Sequence, residues 1–322
     1  EIYFTSGGTE SNNWALIGTA LANRRQGNHI IISSIEHPAV SAPAEFLESQ
    51  GFEVTRLGVN AQGQISPEEL KEAIRPETIL VSVMFVNNEI GAVEPIAEIG
   101  ELIKQVNPKT YFHVDAIQAY GKFRILPKKM HIDMLSASGH KIHGPKGTGF
   151  LYISEKMKIV PIIYGGGQQK GMRSGTDNVP GIAGLGVAAK MVYTDFEEKI
   201  KHMYQLKEHL AEGFLKLPDV RLNGMELWEG APQILSASFM GVRSEVLLHT
   251  LEDRGIYVSA GSACSSHKRK PSATLAAMGM SKDQIESTVR LSFCEENTIE
   301  EADYFLQVMG ELVPMLRRYS RR

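Results

Sequence analysis

Lys141 closes the run Ser136-Ala137-Ser138-Gly139-His140-Lys141, just after the apolar stretch Ile132–Leu135 and just before the glycine-rich residues 144–149. A lysine at a strand end, among small residues, can be held against a ligand instead of being left in solvent. Its amine can attack a carbonyl to form a Schiff base, and pyridoxal-phosphate (PLP) chemistry pairs such a lysine with an acid for the ring nitrogen. Asp115, 26 residues earlier, ends the apolar stretch Tyr111–Val114. Open α/β sheets bind ligands outside the carboxyl ends of their strands. A carboxylate there can face a cationic ring nitrogen, and it can equally cap a helix. Lys141 on its own reads as well as a solvated surface lysine.

Three further segments carry chemistry-bearing residues. Ser6-Gly7-Gly8-Thr9-Glu10-Ser11 places glycines between a strand and a helix. Glycine lets backbone approach a ligand, and free amides at a helix start favour an anion. The segment reads as a phosphate cradle or as an ordinary capped turn. It is no Walker loop, for it lacks the Gly-Lys-Ser/Thr ending. Residues 165–176 hold five glycines within Gly165–Gly175, a loop whose backbone can approach a ligand or a neighbouring subunit. Cys264 sits in Ser259-Ala260-Gly261-Ser262-Ala263-Cys264-Ser265-Ser266, followed by His267-Lys268-Arg269-Lys270. Small residues before it and cations after it describe a loop cysteine whose thiolate is favoured. Cys294 ends an apolar strand and reads as structural.

These residues must be held by regular elements. Apolar, β-branched runs at Ile30–Ser33, Glu53–Leu57, Ile79–Val86, Tyr111–Asp115, Ile132–Ser136 and Gly149–Ile153 predict buried strands. Helices are predicted over Glu10–Arg25, Pro38–Gln50, Pro67–Ile74 and Ile96–Val106. The alternation predicts an α/β layer fold with a mostly parallel sheet. A long helical pattern follows over Val179–Leu217. After it come strands Ile234–Phe239, Ile256–Val258 and Val289–Phe293, with helices Glu245–Arg254, Pro271–Met278 and Ile299–Arg318. That reads as a large domain over residues 1–194 and a smaller α+β domain over 195–322. Glu1-Ile2-Tyr3-Phe4 reads as a strand already under way, so an N-terminal segment is expected to precede it.

A net charge of −3 advertises neither nucleic-acid nor membrane binding. Two cysteines are too few for a disulfide framework and suit a reducing, cytoplasmic setting. The longest apolar strand run, Ile79–Val86, falls far short of a membrane span. No metal site is expected.

Taken in order, FTSGGTESNN, EHPAV (Glu36–Val40), VNNEIG (Val86–Gly91), HVDAIQ (His113–Gln118), SGHKIHGPKG (Ser138–Gly147), GMRSGT and SAGSACSS resemble the NifS/IscS cysteine desulfurases, from residue 1 to the C-terminal helix. The resemblance implies a fold-type-I PLP-dependent transferase of the class-V aminotransferase superfamily. It implies a homodimer that converts L-cysteine to L-alanine and a protein persulfide. Lys141 would be the Schiff-base lysine, Asp115 would pair with the ring nitrogen and Gln118 with the ring hydroxyl. His37 would stack on the ring. Gly8, Thr9, Ser138 and His140 would bind the phosphate, and Thr176 would reach the phosphate of the partner subunit. Asn88 and Arg290 would hold the substrate carboxylate, and Cys264 would accept the sulfur. The form SAGSACSS resembles the branch with a long cysteine loop. Ser292-Phe293-Cys294-Glu295 and the basic run at 267–270 differ from better-known iron–sulfur members. They bear on the choice of sulfur acceptor, an iron–sulfur scaffold or a tRNA-thiolation enzyme. A selenocysteine lyase, an aminotransferase or other fold-type-I enzyme, and a truncated, non-catalytic scaffold are the rival readings.

Overall fold

The computed structural model describes residues 1–260 and 271–320. Within them the chain forms two compact units. One comprises residues 1–59, 65–87 and 94–194, and the other residues 60–64, 88–93 and the described part of the chain from 195 onward.

The first unit is built on seven strands: β1 (Ile2–Thr5), β2 (His29–Ser33), β3 (Glu53–Leu57), β4 (Thr78–Met84), β5 (Tyr111–Asp115), β6 (Met134–Ser138) and β7 (Gly149–Ile153). Their order is β1-β7-β6-β5-β4-β2-β3. Every pair from β6 to β3 is parallel, whereas β7 runs antiparallel to both β6 and β1. A reason lies in the connection. Ten residues separate β6 from β7, fewer than the dozen or so that a parallel crossover needs. All residues of β2, β4, β6 and β7 are buried, as expected for strands covered on both faces.

Helices α1 (Gly8–Asn13), α2 (Thr19–Asn23), α3 (Pro38–Ser49), α4 (Pro67–Ala73), α5 (Ile96–Val106) and α6 (Val179–Tyr193) flank this sheet. Where one helix is expected over Glu10–Arg25, α1 and α2 are joined by a π turn at Trp14–Gly18. The turn is tied to the rest of the unit by Trp14 Nε1, which donates to the Val160 carbonyl at 2.9 Å. Gly18 is required there, because a Cβ would lie 2.6 Å from that same carbonyl oxygen. Trp14, Ile30, Ile32, Leu47, Leu80 and Leu151 share one apolar core.

The second unit holds α7 (Phe196–Leu215), β8 (Val220–Asn223), β9 (Ile234–Phe239), α8 (Ser244–Glu252), β10 (Ser259–Ala260), α9 (Ala273–Ala277), α10 (Lys282–Glu286), β11 (Thr288–Ser292) and α11 (Ile299–Ser320). Its four strands pair antiparallel in the order β10-β11-β9-β8. The helical stretch expected over Val179–Leu217 is broken, because Asp195 takes a left-handed backbone at φ 51°. The strand expected at Ile256–Val258 forms later, at Ser259–Ala260, where it pairs with Val289 and Arg290. Among the described residues no helix is long and apolar enough to cross a membrane.

One buried group couples the sheet to pH. His113, on β5, shares hydrogen bonds with Ser82 Oγ (2.8 Å) and Ser136 Oγ (2.9 Å) of the two neighbouring strands. Burial pushes its pKa down to about 3. The unfolded chain therefore binds a proton at His113 that the folded chain refuses, from its ordinary value of 6.5 down to about 3. Stability contributed at this site is present above that window and lost as pH falls through it, by up to about 1.4 kcal/mol per pH unit. His113→Gln keeps a donor and an acceptor but cannot titrate. Its melting temperature should fall less steeply than that of the parent protein between pH 6.5 and pH 4. Parallel curves would exclude His113 as the source.

Candidate active site

Because the strands from β2 to β6 run parallel, their carboxyl ends share one rim. The segments leaving those ends carry Glu36-His37 after β2, Asp115-Ala116-Ile117-Gln118 after β5, and Gly139-His140-Lys141 after β6. The turn Ser6-Gly7-Gly8 joins them through β7. Gly149 is paired with Thr5 on one side and Ser138 on the other. Two turns some 130 residues apart in sequence are thus neighbours across a single glycine.

Asp115 is the buried centre of this rim. It is 4% exposed, and burial pushes its pKa up. Hydrogen bonds from Asn12 Nδ2 (2.7 Å) and the Ile117 amide (3.0 Å), and the nearby charges of His37 and Lys141, work the other way. A carboxylate so enclosed gains most from a cationic hydrogen-bond donor. Sequence reasoning missed Asn12, although it lies within the block that carries the resemblance. Its signal is helical spacing: it follows Gly8 by four residues, one turn of helix.

Glu36 is a second residue the sequence did not single out. Its Oε1 accepts from Ser33 Oγ and from the Met84 amide, both at 2.8 Å. Burial first, and then the charge of Asp115, raise its pKa to about 8. It ties the ends of β2 and β4 together directly before His37. The His37 ring is exposed and caps α3, its Nδ1 accepting from the Ala39 amide at 3.1 Å. Thr9, Asn13, His37, Pro38 and Phe46 line one cleft.

The Gly7-Gly8 turn is cramped from the sheet side. A Cβ on Gly8 would lie 2.1 Å from Ile117 Cδ1, and Gly7 has φ 144°. The first amides of α1 have no partner within the helix, and no side chain caps it. Ser138 Oγ shares a 2.8 Å hydrogen bond with His140 Nδ1 beside them. His140 and Lys141 are exposed, Gln118 is half-buried, and Thr176 is exposed at the end of the glycine-rich loop.

Asn88 and Arg290 belong to the second unit and meet there. Arg290 donates to the Asn88 carbonyl at 2.7 Å and to Ser259 Oγ at 2.9 Å. Cys264 and the basic residues 267–270 lie outside the described residues. Cys294 is a half-buried free thiol, and its amide donates to Asn297 Oδ1 at 3.0 Å.

This donor set fits PLP. An accessible lysine amine suits the aldehyde, a buried carboxylate suits the ring nitrogen, and a glycine turn with free helix amides suits the phosphate. The cradle depends on Gly149, where a Cβ would lie 2.6 Å from the Ala137 carbonyl oxygen and 2.8 Å from Gly7 Cα. Both obstacles are backbone. Gly149→Ala should therefore cost about 1–3 kcal/mol in urea unfolding and weaken cofactor binding. An unchanged midpoint would show that the cradle is not clamped there.

The aminotransferase class-V family model matches residues 1–305. The chain is 49% identical over 320 residues to the cysteine desulfurase IscS of Methanosarcina thermophila, covering 99% of this chain and 78% of that protein. It is 46% identical over 322 residues to the cysteine desulfurase IscS of Clostridium botulinum, at 99% and 81% coverage. Among solved structures, a NifS-like protein superposes with a TM-score of 0.92 at 38% identity, covering 98% of this chain and 83% of that one. SspA in complex with cysteine superposes at 0.77 and 36% identity, covering 92% and 82%.

Proposed function

This chain belongs to the class-V aminotransferase family, in its IscS/NifS cysteine desulfurase branch, and we propose that Lys141, Asp115 and His37 hold its PLP while Cys264 receives the sulfur of L-cysteine. The observation that carries this reading is the buried Asp115 carboxylate on the rim that also bears Lys141 and His37.

PLP, when bound, supplies an electron sink at the substrate α-carbon. Asp115 would hold a proton on the ring nitrogen. Gln118 would face the ring hydroxyl and His37 the ring itself. Gly8, Thr9, Ser138 and His140 would take the phosphate. Lys141 would move a proton at the substrate α-carbon. Asn88 and Arg290 would orient the substrate carboxylate. The Cys264 thiolate attacks the substrate sulfur, so a sulfur–sulfur bond forms as the carbon–sulfur bond breaks. The electron pair stays with the carbon fragment, which takes up a proton and leaves as alanine. Cys264 is left as a persulfide.

A homodimer is part of the proposal. Val179, Val187 and Met191 on α6 are 66%, 60% and 61% exposed, an apolar face such as a second copy would cover. Thr176, just before that helix, would reach the partner's phosphate. The persulfide would pass to an acceptor protein of iron–sulfur assembly or tRNA thiolation in the cytoplasm, and the basic run at 267–270 is the segment proposed to meet it. The solved complex of SspA with cysteine supports cysteine as substrate.

The full chain mixed with PLP should develop the visible absorbance of a lysine-bound cofactor, and Lys141→Ala should lose it. Alanine production in that variant should fall by about 10²- to 10⁴-fold. Cys264→Ala should keep the absorbance and lose persulfide formation. Undiminished sulfur transfer in Cys264→Ala would remove that residue from the mechanism. Turnover of selenocysteine with negligible turnover of cysteine would make the protein a selenocysteine lyase.

A further inference from the structure

The glycine-rich loop carries an arginine that the reaction scheme leaves without work. Arg173 forks onto Glu10, with Nε at 2.9 Å from Oε1 and a terminal nitrogen at 3.1 Å from Oε2. Glu10 Oε2 also accepts from the Ser6 amide at 2.8 Å. The carboxylate is thereby folded back over the Ser6-Gly7-Gly8 turn, in the first turn of α1. The two side chains are only 19% and 10% exposed, so solvent screens the pair weakly. Burial works against the Glu10 charge, but the bonds from Arg173 and Ser6 outweigh it and hold the carboxyl below its ordinary range.

The same loop is fastened on the other side of the turn. Gln169 Oε1 accepts from the Phe4 amide at 2.7 Å, and its Nε2 donates to the Phe4 carbonyl at 3.0 Å. Gln168 Oε1 accepts from the Gly175 amide at 2.8 Å, directly before Thr176. One loop therefore grips the chain at Phe4 and at Glu10, on both flanks of the glycine turn.

A carboxylate within one helical turn of a bound phosphate is an electrostatic liability. Glu10 is useful as a cap for Ser6 only if its charge is cancelled. We propose that Arg173 is a positioning residue for the phosphate end of the cofactor, neutralising Glu10 and fixing the loop that bears Thr176 to the cradle. This rests on the reading that Gly8 and Thr9 hold the phosphate. On this proposal Arg173 acts through Glu10 and not by its own contact with the cofactor.

The test is an absorbance titration of the cofactor-free full chain with PLP and, separately, with pyridoxal, which offers Lys141 the same aldehyde without a phosphate. Losing a charge-assisted fork and exposing a like charge should weaken PLP binding about ten- to hundredfold in Arg173→Met, while pyridoxal changes by no more than about twofold. Arg173→Lys, which keeps the charge but not the fork, should fall between. Adding Glu10→Gln to Arg173→Met removes the unpaired charge and keeps an acceptor for Ser6, so it should restore most of the PLP affinity. Equal weakening of PLP and pyridoxal, or no recovery in the double variant, overturns the proposal. If the parent protein itself binds PLP no better than pyridoxal, the phosphate reading fails first and this inference falls with it.

Discussion

A carboxyl group sealed at the end of a parallel strand is costly to bury, and several contacts along the rim compensate it. Asp115 has given up water for one side-chain amide and one backbone amide. Two neutral donors do not offset the burial, since its pKa stays raised. The charges that help it, His37 and Lys141, come from the ends of other strands. A cationic ring held there, as proposed, would complete the set, and its binding would then relieve part of the unfavourable burial.

Parallel strands make that arrangement possible because they deliver chemically distant residues to a common level. The antiparallel β7 then does a second job. It carries one glycine between the turn after β1 and the turn after β6, so the Gly7-Gly8 turn and the lysine-bearing segment are brought side by side. Glu36 adds a buried tie between β2 and β4 beneath His37. The rim is thus braced by polar contacts below it and by backbone packing at its side. Rigid support of this kind is what lets exposed groups such as Lys141 and His37 keep their relative positions.

Most strands of the first unit were legible because they are compact apolar or β-branched runs with turn residues at their ends. Glu53–Leu57, Tyr111–Asp115 and Gly149–Ile153 fall where the pattern puts them. The second unit was harder. Val220–Asn223 is short and no residue in it is fully buried, so it carries little hydrophobic signal. The break at Asp195 is a left-handed residue that no helical periodicity announces. The motifs named most side chains on the rim but not their supports. Asn12 meets Asp115 across 103 residues, and Arg173 meets Glu10 across 163. Such partners become visible only when the sheet brings them together. The same distance explains why Lys141 and Asp115 each had a plain surface or capping role when read alone.

The pairing of Gln169 with Phe4 has a consequence apart from any ligand. β1 lies at the border of the seven-stranded sheet, where a bare row of amides and carbonyls would invite an incoming strand. One primary amide occupies a donor and an acceptor of that row as a neighbouring strand would. To reach it, Gln169 and Lys170 adopt left-handed backbones at φ 48° and 60°, a conformation that costs residues with a Cβ about 1–2 kcal/mol each. The border is thus blunted at Phe4 by a side chain, and an incoming strand would find that donor and acceptor already taken.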